Sequence, residues 1–199
     1  IQQAVTRGLN PNVPMKDSGL PWLGEIPRHW ILTKARFVSD IFVPQRNKPE
    51  LNKVDGYYWV TMEEMAKSMI SLATYKVSET ALSNAGSRLL PKGSVIASCV
   101  GNFGAASINT VPVVINQQLQ AFIPNKINAE FLRLVLIISS QYFELIATAA
   151  TLLYVNQIGF SNLPVPLPPI GEQKRITEFI NNESLKIDNL QTAYSRQIT

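Results

Sequence analysis

The chain has 199 residues, 46% of them hydrophobic and 16% charged, with 18 Lys and Arg against 14 Asp and Glu. That is enough apolar material for one domain with an appendage, and too much for a disordered chain. A single cysteine, Cys99, excludes an internal disulfide framework, and a single histidine, His29, leaves no His/Cys set for structural zinc; both fit a reducing, cytoplasmic setting.

The opening "IQQAVTRGLNPNVP" reads as the last turn of a helix closed by Gly8 and followed by Pro11 and Pro14, so the chain looks cut from a longer one. No signal peptide is visible. "HWILTKARFVSDIFVP", from His29 to Pro44, mixes alternation with β-branched residues and predicts a strand, followed by a basic and polar loop at "QRNKPELNK". "GYYWVTM", from Gly56, is a strand too apolar on both faces for the surface, so Tyr57, Tyr58 and Trp59 read as core rather than as base-stacking residues. Ser78 is an N-cap for a short helix that Gly86 ends. "PKGSVIASCVGNFGAASIN" is a hairpin around Gly101 to Gly104.

"VPVVINQQLQAFIP" reads as one further strand, with Val113, Ile115, Leu119, Ala121 and Ile123 on one side and Asn116, Gln118 and Gln120 on the other. Asn128 caps the helix that follows. That helix, "FLRLVLIISSQYFELIATAATLL", is interrupted by Arg133, Ser139, Ser140, Gln141 and Glu144; it cannot cross a bilayer without burying charge and is a core helix. Strands, a short helix, more strands and a long helix predict a mixed α+β domain rather than a doubly wound parallel sheet.

"LPVPLPPIGEQKRITEFI", residues 163–180, then places four prolines in six positions. Pro164, Pro166 and Pro168 strip N–H donors from one edge only, so this strand ends its sheet, with Val165 and Leu167 pairing inward. Pro169 suits the first helical position. Beyond it, Ile176, Ile180, Ile187, Leu190 and Tyr194, with Glu183 and Gln197 at the remaining positions, follow a four-three heptad seam. A helix of this length is expected to protrude from so small a domain, the alternative being a terminal helix folded back onto it. The charge excess lies entirely before this helix, because residues 169–199 hold four cations and four anions. A surplus of four permits a polyanion partner without demanding one.

Three segments, "MKDSGLPWLGEIPRHW", "INQQLQAFIP" and "NLPVPLPPIGEQKRITEFI", together resemble the specificity subunit of type I restriction-modification systems. "VIASCVGNFGAASI" is similar to that family's central hairpin. The match runs through most of the chain in the right order, with Pro168, Pro169, Glu172, Gln173, Lys174, Arg175 and Ile176 as its most specific part. Gly171 stands where the family more often has an acidic residue. The resemblance implies a target recognition domain over 21–168, preceded by the tail of a helix and a linker over 1–20 and followed by a truncated coiled-coil helix over 169–199. It implies double-stranded DNA, methyltransferase subunits and a restriction subunit as partners, with a second specificity half or a second copy meeting this one through the helices. It also implies that S-adenosylmethionine, ATP and magnesium belong to the partner subunits, that this chain binds no cofactor, and that it works in the cytoplasm.

Within that implication, Lys and Arg would hold phosphates, and Asn, Gln, Ser, Thr and Arg would read base edges. The candidate reading loop is "KSMISLATYK", with Lys67, Ser71, Thr74, Tyr75 and Lys76; Arg88, Lys92 and Asn102 are further candidates. Gln118, Gln120, Asn156 and Gln157 read as structural amides, and His29 has no carboxylate partner by spacing. "LPPI" lacks the polar residue and aromatic of an amino-methyltransferase motif, and there is no phosphate-cradling Gly-Lys-Ser/Thr loop. A non-catalytic recognition subunit is therefore expected. The alternative is a head on a coiled-coil stalk that binds proteins and never touches DNA.

Overall fold

The computed structural model describes residues 1–44, 46–149 and 153–198. Helix α1 (Gln2–Arg7) precedes the antiparallel pair β1 (Met15–Asp17) and β2 (Glu25–Pro27), then β3 (Ile31–Lys34), a 3-10 turn at Ala35–Phe37 and β4 (Ser39–Phe42). Next come β5 (Tyr57–Val60), β6 (Met69–Ile70), β7 (Tyr75–Val77), α2 (Glu79–Asn84), the hairpin β8 (Val95–Ser98) and β9 (Ala106–Asn109), β10 (Val113–Ile115) and β11 (Leu119–Pro124). The chain closes with α3 (Ala129–Ile138), α4 (Ser140–Ile146), β12 (Thr148–Ala149), β13 (Leu153–Tyr154), α5 (Gln157–Ser161), β14 (Pro164–Leu167) and α6 (Ile170–Ile198).

Period-two alternation along the strands builds the layers. A five-stranded mixed sheet runs β4-β11-β8-β9-β6, and a three-stranded one runs β10-β5-β7. Val95 and Ala97 of β8 face a core shared with Phe131, Leu132 and Val135 of α3, while Ile96 between them faces a second core with Val60, Val113 and Ile115 of the smaller sheet. On that sheet's outer face Trp59, Val77 and Val114 pack under α2. The order is thus helices, large sheet, small sheet, short helix, and the fold is α+β with mixed sheets. Ala4 and Val5 of α1 and Ile176 and Ile180 of α6 lie in the first core, so both ends of the chain help to close it.

Local signals account for several boundaries. Ser78 Oγ accepts from the Ala81 N–H at 3.1 Å and Asn128 Oδ1 from Phe131 at 3.0 Å, capping α2 and α3. β14 pairs with β3 alone, in the register Val165↔Thr33 and Leu167↔Ile31, so the prolines do leave a one-sided strand; its partner is a single strand rather than the large sheet.

Elsewhere the structure corrects the sequence reading. Residues 113–124 form two strands in different sheets, because Asn116 turns the chain: its Oδ1 accepts from Gln118 N–H at 3.1 Å and its carbonyl from Leu119 N–H at 3.1 Å. The expected side still holds, since Val113, Ile115, Leu119 and Ala121 share one core. The helix after Asn128 breaks at buried Ser139, whose Oγ donates back to the Val135 carbonyl at 2.6 Å. Pro169 sits one residue outside α6, its carbonyl accepting from Glu172 and Gln173. His29 does meet a carboxylate: Nε2 lies 2.9 Å from Glu172 Oε2, across 143 positions of sequence.

Candidate nucleic-acid interface

The loops around the small sheet carry the expected cations. Residues 46–92 hold seven Lys and Arg against five Asp and Glu, whereas residues 93–125 hold no charged side chain. Lys67 follows a 3-10 turn at Glu64–Ala66. Its carbonyl accepts from Ser107 Oγ at 2.5 Å, which ties the backbone to β9 and leaves the side chain exposed. Glu64 holds the same turn, with Oε2 accepting from the N–H and Oγ of Thr61 at 2.8 and 3.0 Å. Its carboxylate is thereby engaged in local structure. Lys67, Ser71 and Thr74 together line a concavity of about 390 Å³ with Glu63, so three of the predicted residues do converge.

Tyr75 and Lys76 belong to the edge strand β7 and point to opposite faces. Tyr75 is 42% exposed, and Lys53 Nζ stands 5.4 Å from its ring centroid. Lys76 turns inward, 5.2 Å from the ring of Tyr58, and donates to the Val54 carbonyl at 3.2 Å. An inward-pointing lysine is a common way of protecting an exposed sheet edge, and Lys76 is more constrained than Lys53. Arg88 lies 5.0 Å from the ring of Phe42, in the same core that Tyr58 borders. The registers Leu90↔Val113, Val113↔Tyr58 and Tyr58↔Lys76 run straight across the small sheet, so Arg88, two residues before Leu90, and Lys76 belong to the same side of it. Lys92 sits exposed in the turn before β8. Asn109 links it to the reading loop: its Nδ2 donates to Pro91 at 2.8 Å, and its backbone position pairs with Ile70, just before Ser71.

Asn102 is not part of this group. It sits exposed in the turn that precedes β9, at the other end of that strand from Asn109. Buried Phe103 fixes the turn from inside against Phe143, at 6.1 Å between ring centroids. The Gly101 N–H donates to Leu153 at 3.0 Å and Val100 bridges to Tyr154. The Tyr154 phenol is raised above its ordinary value by burial and by nearby Cys99, against the pull of Gln120 and Arg46. Three of the amides read as structural are so placed: Gln120 Nε2 donates to Val155 at 3.2 Å, Asn156 Oδ1 caps α5 through Gly159 at 3.0 Å, and Gln118 Oε1 accepts from Asn116 Nδ2 at 3.2 Å, while Gln157 is exposed at the start of α5.

Sequence reasoning missed Lys53. The signal was present in the turn after it, where Asn52 Oδ1 accepts from the N–H groups of Val54 and Asp55, both at 2.8 Å. Asn52 and Lys76 also exchange backbone hydrogen bonds of 2.9 and 2.7 Å, which fold the basic loop onto β7.

The predicted seam of α6 divides. Ile176 and Ile180 are buried against the head and cannot serve a second helix, which corrects their assignment to an open seam. Ile187 and Leu190 are 54% and 70% exposed, and Leu185, outside the predicted seam, is 59% exposed. The side chain of Tyr194 lies outside the described residues.

A family profile described as "Type I restriction modification DNA specificity domain" matches residues 35–198. Among curated proteins, the specificity subunit of the type I restriction enzyme EcoR124I/EcoR124II of Escherichia coli is 20% identical over 163 residues, covering 78% of this chain and 40% of that protein. Among solved structures, the HsdS subunit from Thermoanaerobacter tengcongensis superposes with a TM-score of 0.70 at 19% identity, over 96% of this chain and 44% of that one. A type I restriction-modification S subunit from M. genitalium gives a TM-score of 0.58 at 12% identity, over 92% and 42%. The chain therefore spans less than half the length of these relatives, and the structural likeness concerns the fold.

Proposed function

The chain belongs to the family of type I restriction-modification DNA specificity domains, and from that premise we propose that it reads one half of a split DNA target for a larger complex. The observation that carries this reading is a family match running from residue 35 through the head and into α6. In this reading the cations around the small sheet hold phosphates and fix register, and the Lys67 to Thr74 concavity meets base edges. Residues of α6 beyond the head meet a second specificity half or a second copy. Methyltransferase and restriction subunits supply the catalysis, with S-adenosylmethionine, ATP and magnesium held there and not by this chain. Among the described residues no helix is long and apolar enough to cross a membrane, and we place the work in the cytoplasm. The rival protein-binding stalk is not favoured by the family.

Duplex DNA binding by this chain, followed by fluorescence anisotropy against salt, tests the reading. Counterion release predicts that affinity falls about tenfold or more between 50 and 200 mM salt. Salt-independent binding, or none at low salt, would favour the protein-binding alternative.

A further inference from the structure

A buried amide lies at the junction of head and rod. Gln173, in the first turn of α6, is 1% exposed. Its Oε1 accepts from the backbone N–H of Asn128 at 2.8 Å, and its Nε2 donates to the Pro168 carbonyl at 2.8 Å. Asn128 caps α3 and Pro168 follows β14, so one side chain of α6 grips two separate elements of the head. The amide has only one satisfactory orientation, because a backbone N–H can only donate and a carbonyl can only accept.

The neighbouring contacts differ in kind. Ile176 and Ile180 bury apolar surface on the head, which is non-directional and tolerates rolling or sliding of a helix. Thr177 is also buried, at 6%, but its hydroxyl donates to Lys174 within α6 and holds nothing outside it. From Asn181 to Gln191 the residues are exposed, Glu183 excepted. Glu172 also reaches the head, 2.9 Å from His29 Nε2, but that contact is partly exposed to solvent. Gln173 is thus the directional link whose own side chain is buried.

From these contacts we infer that Gln173 is a positioning residue that fixes the direction of the rod relative to the head, and through it the spacing at which the two halves of a split target are read. The second half of this inference rests on the function proposed above. The leverage is large: over the roughly 37 Å of helix beyond Gln173, a tilt of about 10° moves the far end by about 6 Å, nearly two base-pair steps. An error too small to disturb the head would change the measured spacing.

The test has two arms. In the first, spin labels at Ser83→Cys on the head and Asn189→Cys on the rod, both exposed positions, report the head-to-rod distance in this chain by pulsed electron resonance. Cys99 is buried and stays unlabelled. The parent and Thr177→Val should give one narrow distribution, and Gln173→Met, of similar length but without hydrogen bonds, should broaden it about twofold or more with the head still folded by circular dichroism. An unchanged distribution would overturn the inference, and so would loss of the folded head, which would make Gln173 an ordinary core residue. In the second arm, methylated adenines are mapped for the assembled complex. Gln173→Met should relax the spacer length and leave the bases of each half unchanged. A fixed spacer despite a loosened rod would overturn the spacing role, whereas absence of directed methylation in the parent complex would tell against the proposed function and leave the first arm standing.

Discussion

Gly56 has φ +101°, and a Cβ placed on it would lie 2.0 Å from the Val77 carbonyl oxygen in the neighbouring strand. Both the backbone conformation and the close approach require glycine. Gly56→Ala should lower stability by about 2 kcal/mol or more, seen as a drop of several degrees in thermal midpoint. Lys53 and Lys67 are exposed, and in the proposed reading each touches phosphate. Lys53→Ala and Lys67→Ala should each weaken binding to unrelated duplexes by a similar factor and lower the salt slope by about 1. Cys99 titrates in a different range. Burial pushes its thiol up to about 11 from an ordinary 9.0, so between those values the unfolded chain loses a proton that the folded chain keeps. Its contribution is fully present below pH 9 and is lost as pH rises toward 11. Thermal unfolding should show an alkaline loss of stability in that window, and Cys99→Ala should flatten it.

At the scale of elements, the sequence was legible wherever a signal is local. Ser78 and Asn128 cap helices through atoms three residues away, and the prolines of 164–168 determine which edge of β14 can pair without reference to any partner. What it did not reveal depends on distant pairing. Residues 113–124 alternate like one strand, but β10 pairs with β5 and β11 with β8 and β4, and only those registers make Asn116 a corner. The contact of His29 with Glu172 and the cation of Lys53 over Tyr75 likewise join segments that spacing cannot relate. Of the candidate site, the cluster of Lys67, Ser71 and Thr74 was readable from one loop, while the remoteness of Asn102 followed from the direction of β9. The burial of Ile176 and Ile180 leads to a prediction about α6 itself. A stop after Ser184 should leave the head folded, and a stop after Glu172 should unfold it, because it strips Ile176 and Ile180 from the first core. Circular dichroism melts of the two truncated chains would decide this.

On the scale of the whole molecule, a compact head is joined to a helix of 29 residues, about 44 Å long. The first turns of that helix are built into the head, and exposed Leu185, Ile187 and Leu190 follow. Ordered apolar surface on a protruding helix suits association with another helix. Ile187→Asp with Leu190→Asp should reduce self-association in sedimentation without changing the thermal midpoint of the head. The arrangement separates two tasks. In the proposed reading, loops of the small sheet contact DNA, and the helix sets where a second reader stands. The most direct measurement exchanges residues 60–110 for those of a relative and maps methylated adenines in cells that express the complete complex. The account predicts that one half of the methylated target changes, while the other half and the spacer between them stay as they were. A methylated motif left identical by the exchange would contradict it.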